Sequence, residues 1–153
     1  MLQTTCTVFL DGIGLAGPGL PSWRQSIERL RGEPPPEKLA VAIPLFEFLP
    51  AAERRRVGNQ VKLALAVAHE AVVQSAQDAS IIPNVFSASQ GDGKNCNAIC
   101  EALAGTDRLI SPTRFHNSVH NASAGYWSIA MKCMASSTSL CAFDGSFSVG
   151  LLE

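Results

Sequence analysis

Ser111 to Glu153 reads SPTRFHNSVHNASAGYWSIAMKCMASSTSLCAFDGSFSVGLLE. The reading of this stretch decides the fold. Phe115 to Lys132 has helical character from about Ser118, and small residues surround Asn121 and Gly125. Close helix approach is the expected use of those small residues. Ser136 to Ala142 is short, small and β-prone, which predicts a strand buried between layers. Phe143-Asp144-Gly145 then turns the chain into an apolar helix that is still running at Glu153. An apolar helix without a cap or polar tail is an unusual terminus, so the chain is expected to be part of a longer protein.

Composition narrows the class. The 153 residues suffice for one domain with a sizeable core. Hydrophobic residues make up 46% and charged residues 16%, a low charge content that predicts apolar surface facing a partner or a further domain. A formal net charge of −1 gives no support to nucleic-acid binding. No apolar run is long enough to cross a membrane, and the N-terminus lacks the basic region of a signal peptide, so a cytoplasmic location is expected. The five cysteines form an odd set without CxxC spacing and read as reduced thiols.

Upstream, residues 5–10 predict a first strand, broken by Asp11-Gly12 and Gly14. The GxGxxG pattern fails there, because Pro18 and Pro21 stand where a helix should begin; no nucleotide is expected. Ser22 is a plausible N-cap for a helix to Leu30. Gly32 to Pro36 reads as a rigid connector and Leu39 to Ile43 as an edge strand. Pro50 to Gln77 predicts one long helix, apolar on several faces. Arg54, Arg55 and Arg56 near its start read as a solvated helix end or a docking patch for an acidic partner. A second buried strand is predicted at 84–89, then a helix from Asn95 to about Leu103 closed by Gly105. Cys96 and Cys100 share a face of that helix and are expected in the core. His116 and His120, four apart, would share a helix face, but Asn117 stands where a zinc peptidase needs glutamate. No metal or other cofactor is expected.

A strand that turns sharply into a helix is a common way to present a nucleophile, so Cys141 is a candidate. A buried inert thiol is the competing reading. At these residues the chain resembles a known family. Ser118 to Ser128, followed by Thr138 to Gly150, is similar to the N-terminal half of a β-ketoacyl-acyl carrier protein synthase. The fit is closest to the chain-length-factor-like branch of aryl polyene pigment clusters. Asn121, Ala124 and Gly125 resemble the residues that open the family's helix before its nucleophile strand. Phe86 to Ser89 with Gly91 resemble its strand and glycine turn, and 50–77 its first long helix.

The resemblance implies an α/β, thiolase-like fold, with residues 1–153 supplying a partial N-terminal half: a mixed sheet flanked by helices. It also implies fatty-acid or polyketide synthesis, a carrier protein docking at Arg54, Arg55 and Arg56, and pairing with a ketosynthase or with itself. The family has Cys, two variable residues, Gly, then Gly five residues later. Gly145 and Gly150 match those glycines, which puts Ala142 at the nucleophile position and Cys141 one residue early. A one-residue slip on a strand turns a side chain to the other face, so Cys141 is expected to point into packing. The implied role is a non-condensing partner subunit, with Phe115, Asn121, Gly125, Phe143 and Phe147 at the substrate tunnel or interface. An active synthase using Cys141, and an α/β domain of unrelated function, are the alternatives.

Overall fold

The computed structural model describes residues 7–32, 39–43 and 46–153. In order, the elements are α1 (Trp23–Leu30), α2 (Ala51–Arg56), α3 (Asn59–Ser75), β1 (Asn84–Ser87), α4 (Gly93–Ala104), α5 (Pro112–Ser118), α6 (Ala122–Met131), β2 (Ser137–Leu140), a 3-10 turn (Phe143–Gly145) and α7 (Ser146–Leu152). The chain divides into two compact units: residues 1–42 with 67–77, and residues 43–66 with 78–153.

The smaller unit is built on the second half of α3. Ser22 caps α1, its side chain accepting from the Gln25 N–H at 3.3 Å. The Glu70 carboxylate accepts from the Trp23 N–H at 2.8 Å and the Leu15 N–H at 3.0 Å. Gln74 exchanges two hydrogen bonds with the backbone of Ile13. A Cβ on Gly12 would collide with the carbonyl of Ala71, and one on Gly14 with that of Val67. Those glycines thus let a loop lie directly on a helix. Residues 7–10 form no strand here, and Val8, Phe9 and Leu10 are exposed. Their β propensity finds no neighbouring backbone to pair with among the described residues. Residues 5 and 6, and most of the predicted connector, lie outside the described residues. The predicted edge strand at 39–43 is irregular.

The larger unit carries the sheet. β1 and β2 pair in parallel, with Asn84 opposite Ser137 and Ser87 opposite Leu140. A parallel pair needs a long crossover, and α4, α5 and α6 supply it. The architecture is α/β, with α6 and α7 packed against β1. Phe46, Leu49, Val57, Val61, Leu65, Ala124, Tyr126, Trp127 and Cys133 are buried. Trp127 meets Phe86 of the sheet at a centroid distance of 6.3 Å. The strands are shorter than predicted and are only partly covered by the described helices.

One predicted helix is broken in two, and a second, predicted from about Ser118, begins only at Ala122. The long helix at 50–77 stops at Arg56, because Val57 is extended (φ −65, ψ 132) and buried. The helix at 118–132 is preceded by a separate α5, with Val119 extended between them. One residue holds the first break open. Buried Asn117 accepts from the Gly58 N–H at 3.1 Å and donates to the carbonyls of Arg56 and Thr113, both at 2.8 Å. Backbone groups released where a helix stops must find partners, and here one side chain supplies them.

Candidate functional site

The turn that follows β2 is the strongest candidate. Strand pairing continues past the named strands, the Ala88 N–H donating to the Leu140 carbonyl at 3.2 Å. Cys141 comes next. It is exposed, and its thiol donates to the Ser89 carbonyl at 3.4 Å. This corrects the expectation that Cys141 points into packing: the strand ends at Leu140, so its two-residue alternation no longer governs position 141. Ala142 is half-buried and precedes the 3-10 turn. Phe143 sits in the left-handed region at φ 47, a costly conformation for a bulky residue, and its ring is 80% exposed.

Ser146 clasps this turn. It is 3% exposed. Its hydroxyl accepts from the Ala142 N–H at 2.9 Å and donates to the Phe143 carbonyl at 2.7 Å. The Gly145 N–H closes the same turn on the Ala142 carbonyl at 2.9 Å. Two chemical consequences follow. The Ala142 methyl offers no nucleophile. Its amide, a natural donor to a developing oxyanion at a strand-to-helix turn, is already satisfied within the chain.

The remaining candidate residues are more scattered. Phe147 on α7 is 77% exposed and Phe115 on α5 is 62% exposed. Asn121 is the N-cap residue of α6, with no side-chain cap bond. Gly125 is not a point of close helix approach: a Cβ there would meet nothing within 4 Å among the described residues. That role falls to Gly150, where a Cβ would stand 3.0 Å from Ser87 Oγ. Arg54, Arg55 and Arg56 occupy the last turn of α2, not the start of a long helix, and there they complement its dipole. Arg56 pairs loosely with Glu53 at 3.7 Å. His116 and His120 lie on either side of the helix break, and His116 packs edge-on against Tyr126 at 5.5 Å. Burial pushes the Tyr126 phenol above its ordinary pKa; nearby Glu53 adds to the shift and Arg56 opposes it. Cys96 and Cys100 are exposed rather than in the core, and Cys133 is buried. No group of His, Cys, Asp or Glu among the described residues is arranged to hold a metal. No helix among them is long and apolar enough to cross a membrane.

Comparison with known proteins places this geometry. Residues 23–153 match the family described as beta-ketoacyl synthase, N-terminal domain. The chain belongs to that family. No curated protein sequence matches. A solved structure titled as a ketosynthase in complex with its chain length factor, from Xenorhabdus doucetiae, is similar with a TM-score of 0.77 and 24% identity. The similarity covers 97% of this chain and 60% of that one. The α/β architecture is therefore that of a β-ketoacyl synthase N-terminal domain, and the chain spans about 60% of its structural relative's length.

Ser146 and Asn117 escaped the sequence reading. A serine one residue after Gly145 carries a recognisable signal, since Ser and Thr hydroxyls often close turns at helix starts. Asn117 carries none, because its partners lie far away in sequence at Arg56 and Gly58.

Proposed function

We propose that this β-ketoacyl synthase-family chain is a non-condensing, chain-length-factor-like subunit. Its setting is fatty-acid or polyketide synthesis of the aryl polyene type. The observation that carries the reading is the clasped turn: Ser146 occupies the amide of Ala142, the residue that the family's glycine spacing would assign to the nucleophile position. Similarity to a ketosynthase paired with its chain length factor supports a paired mode of action. In this reading residues 1–153 supply the N-terminal part of the subunit. Its partner is a ketosynthase subunit with an intact cysteine, or a second copy of itself. Phe115, Asn121, Phe143 and Phe147 lie at the tunnel or the interface, and Arg54, Arg55 and Arg56 meet an acidic acyl carrier protein.

The test is reconstitution of an active aryl-polyene-type ketosynthase with and without this protein. Product chain length should shift on its addition. Phe147→Ala should alter that shift without abolishing condensation by the partner. An unchanged product distribution in a verified complex would overturn the proposal.

A second reading, the active synthase, draws on one observation, the exposure of Cys141. In that reading the Cys141 sulfur bonds to the acyl carbon of a thioester, and the carrier's thiolate leaves and takes up a proton.

A further inference from the structure

A separate cleft in the larger unit suits a ligand that the proposed function does not call for. It has a volume of about 310 Å³ and lies among the α2–α3 break, the start of α4 and α5. Arg56 and Arg114 line it, with the hydroxyls of Ser111 and Thr113. The Arg114 guanidinium has no ion pair or hydrogen bond to the described residues, and the Ser111 side chain makes no cap bond. Asp92 is the one carboxylate in the lining, and its Oδ1 is engaged by the Asn95 N–H at 3.0 Å.

The walls are fixed before any ligand arrives. Asn117 ties the α2–α3 break to α5 through three hydrogen bonds. Asn95, 8% exposed, ties α4 to α5 by donating to the Arg114 carbonyl at 2.8 Å. Both arginines are thus anchored at their backbones by buried asparagine amides. The Arg56 guanidinium keeps a loose pair with Glu53 at 3.7 Å, and two guanidiniums lining one cleft favour an anion between them. Guanidinium forks match the paired oxygens of phosphate, and the hydroxyls add neutral donors. The cleft is larger than a phosphate group, which leaves room for an attached organic residue.

We propose that this cleft binds the phosphate group of a small phosphomonoester, clamped between Arg56 and Arg114. The proposal uses neither Cys141 nor Ala142, but it shares Arg56 with the carrier-protein patch of the proposed function.

Calorimetric titration with phenyl phosphate and with dimethyl phosphate, at constant ionic strength, tests it. Phenyl phosphate should bind saturably, and several-fold tighter than the singly charged diester. Arg114→Gln and Arg56→Gln should each weaken it about tenfold or more, the loss of a charge-assisted contact. Asp92→Asn keeps a capping side chain but removes the one negative charge, so affinity should rise several-fold. That gain cannot come from misfolding. Arg24→Gln, on α1, should change nothing. Absence of saturable binding, equal binding of the two probes, an Arg114→Gln variant as tight as wild type, or no gain with Asp92→Asn would overturn the proposal. Product-length assays with Arg114→Gln, which lies outside the proposed carrier-protein patch, leave the chain-length reading to stand or fall separately.

Discussion

Asn117 shows how much one buried polar side chain can decide. Its amide accepts from the Gly58 N–H and donates to the Arg56 carbonyl, both left open by the first break, and donates also to the Thr113 carbonyl within α5. Asn117→Ala strands the Gly58 N–H and the Arg56 carbonyl in a partly buried place. We expect a loss of about 2–4 kcal/mol, from the cost of unmet buried hydrogen bonds. A lower urea midpoint at unchanged m-value would show it. Ser146→Ala is expected to cost about 1–2 kcal/mol by the same reasoning, because it frees the Ala142 amide and the Phe143 carbonyl. His69 gives a pH signature. Burial lowers its pKa from the ordinary 6.5, so the folded state holds it neutral. Its contribution is complete above about pH 6.5 and is lost as pH falls below that value, where the unfolded chain takes up the proton first. Urea midpoints measured from about pH 7.5 down to 5 should fall, and His69→Gln should flatten part of that slope.

At the scale of elements, much was legible and the failures have physical causes. The Ser22 cap, the helix closed by Gly105, and the strands near 84–89 and 136–142 follow from local chemistry and appear in the structure. The α/β class follows from their alternation. The breaks at Val57 and Val119 were not legible, because long-range hydrogen bonding from Asn117 and burial of Val57 override helix periodicity. Residues 7–10 failed as a strand because β propensity needs a partner edge. Cys141 was misplaced by carrying strand alternation one residue past the strand's end. The use of the glycine loop, contact with α3, was not legible and required the structure. Gly12→Ala and Gly14→Ala would drive a methyl into helix carbonyls of Ala71 and Val67. Hydrogen exchange at Ile13 and Leu15 is expected to be faster in either variant than in the wild type, while β1 and β2 keep their protection.

At the scale of the molecule, apolar exposure is the dominant fact. Phe143, Phe147, Leu151 and Leu152 are 80%, 77%, 69% and 87% exposed around one turn and helix. Such a patch is expected to be covered by a partner or by a further segment of the protein, and the proposed pairing would use it. The chain on its own is expected to self-associate, and Phe147→Asp with Leu151→Glu should shift sedimentation toward monomer. A monomeric wild type across a wide concentration range would remove this support for pairing.

The central claim is that the turn after β2 does no acyl chemistry. Three thiols exposed among the described residues provide the means to measure it, because Cys96 and Cys100 serve as internal references for Cys141. The protein, alone and paired with an active ketosynthase, is incubated with an acyl-carrier thioester, and adducts are mapped by mass spectrometry. The account predicts acylation of the partner's cysteine and, on this chain, no more adduct at Cys141 than at Cys96 or Cys100. Selective acylation of Cys141, lost in Cys141→Ser with the fold intact, would contradict it.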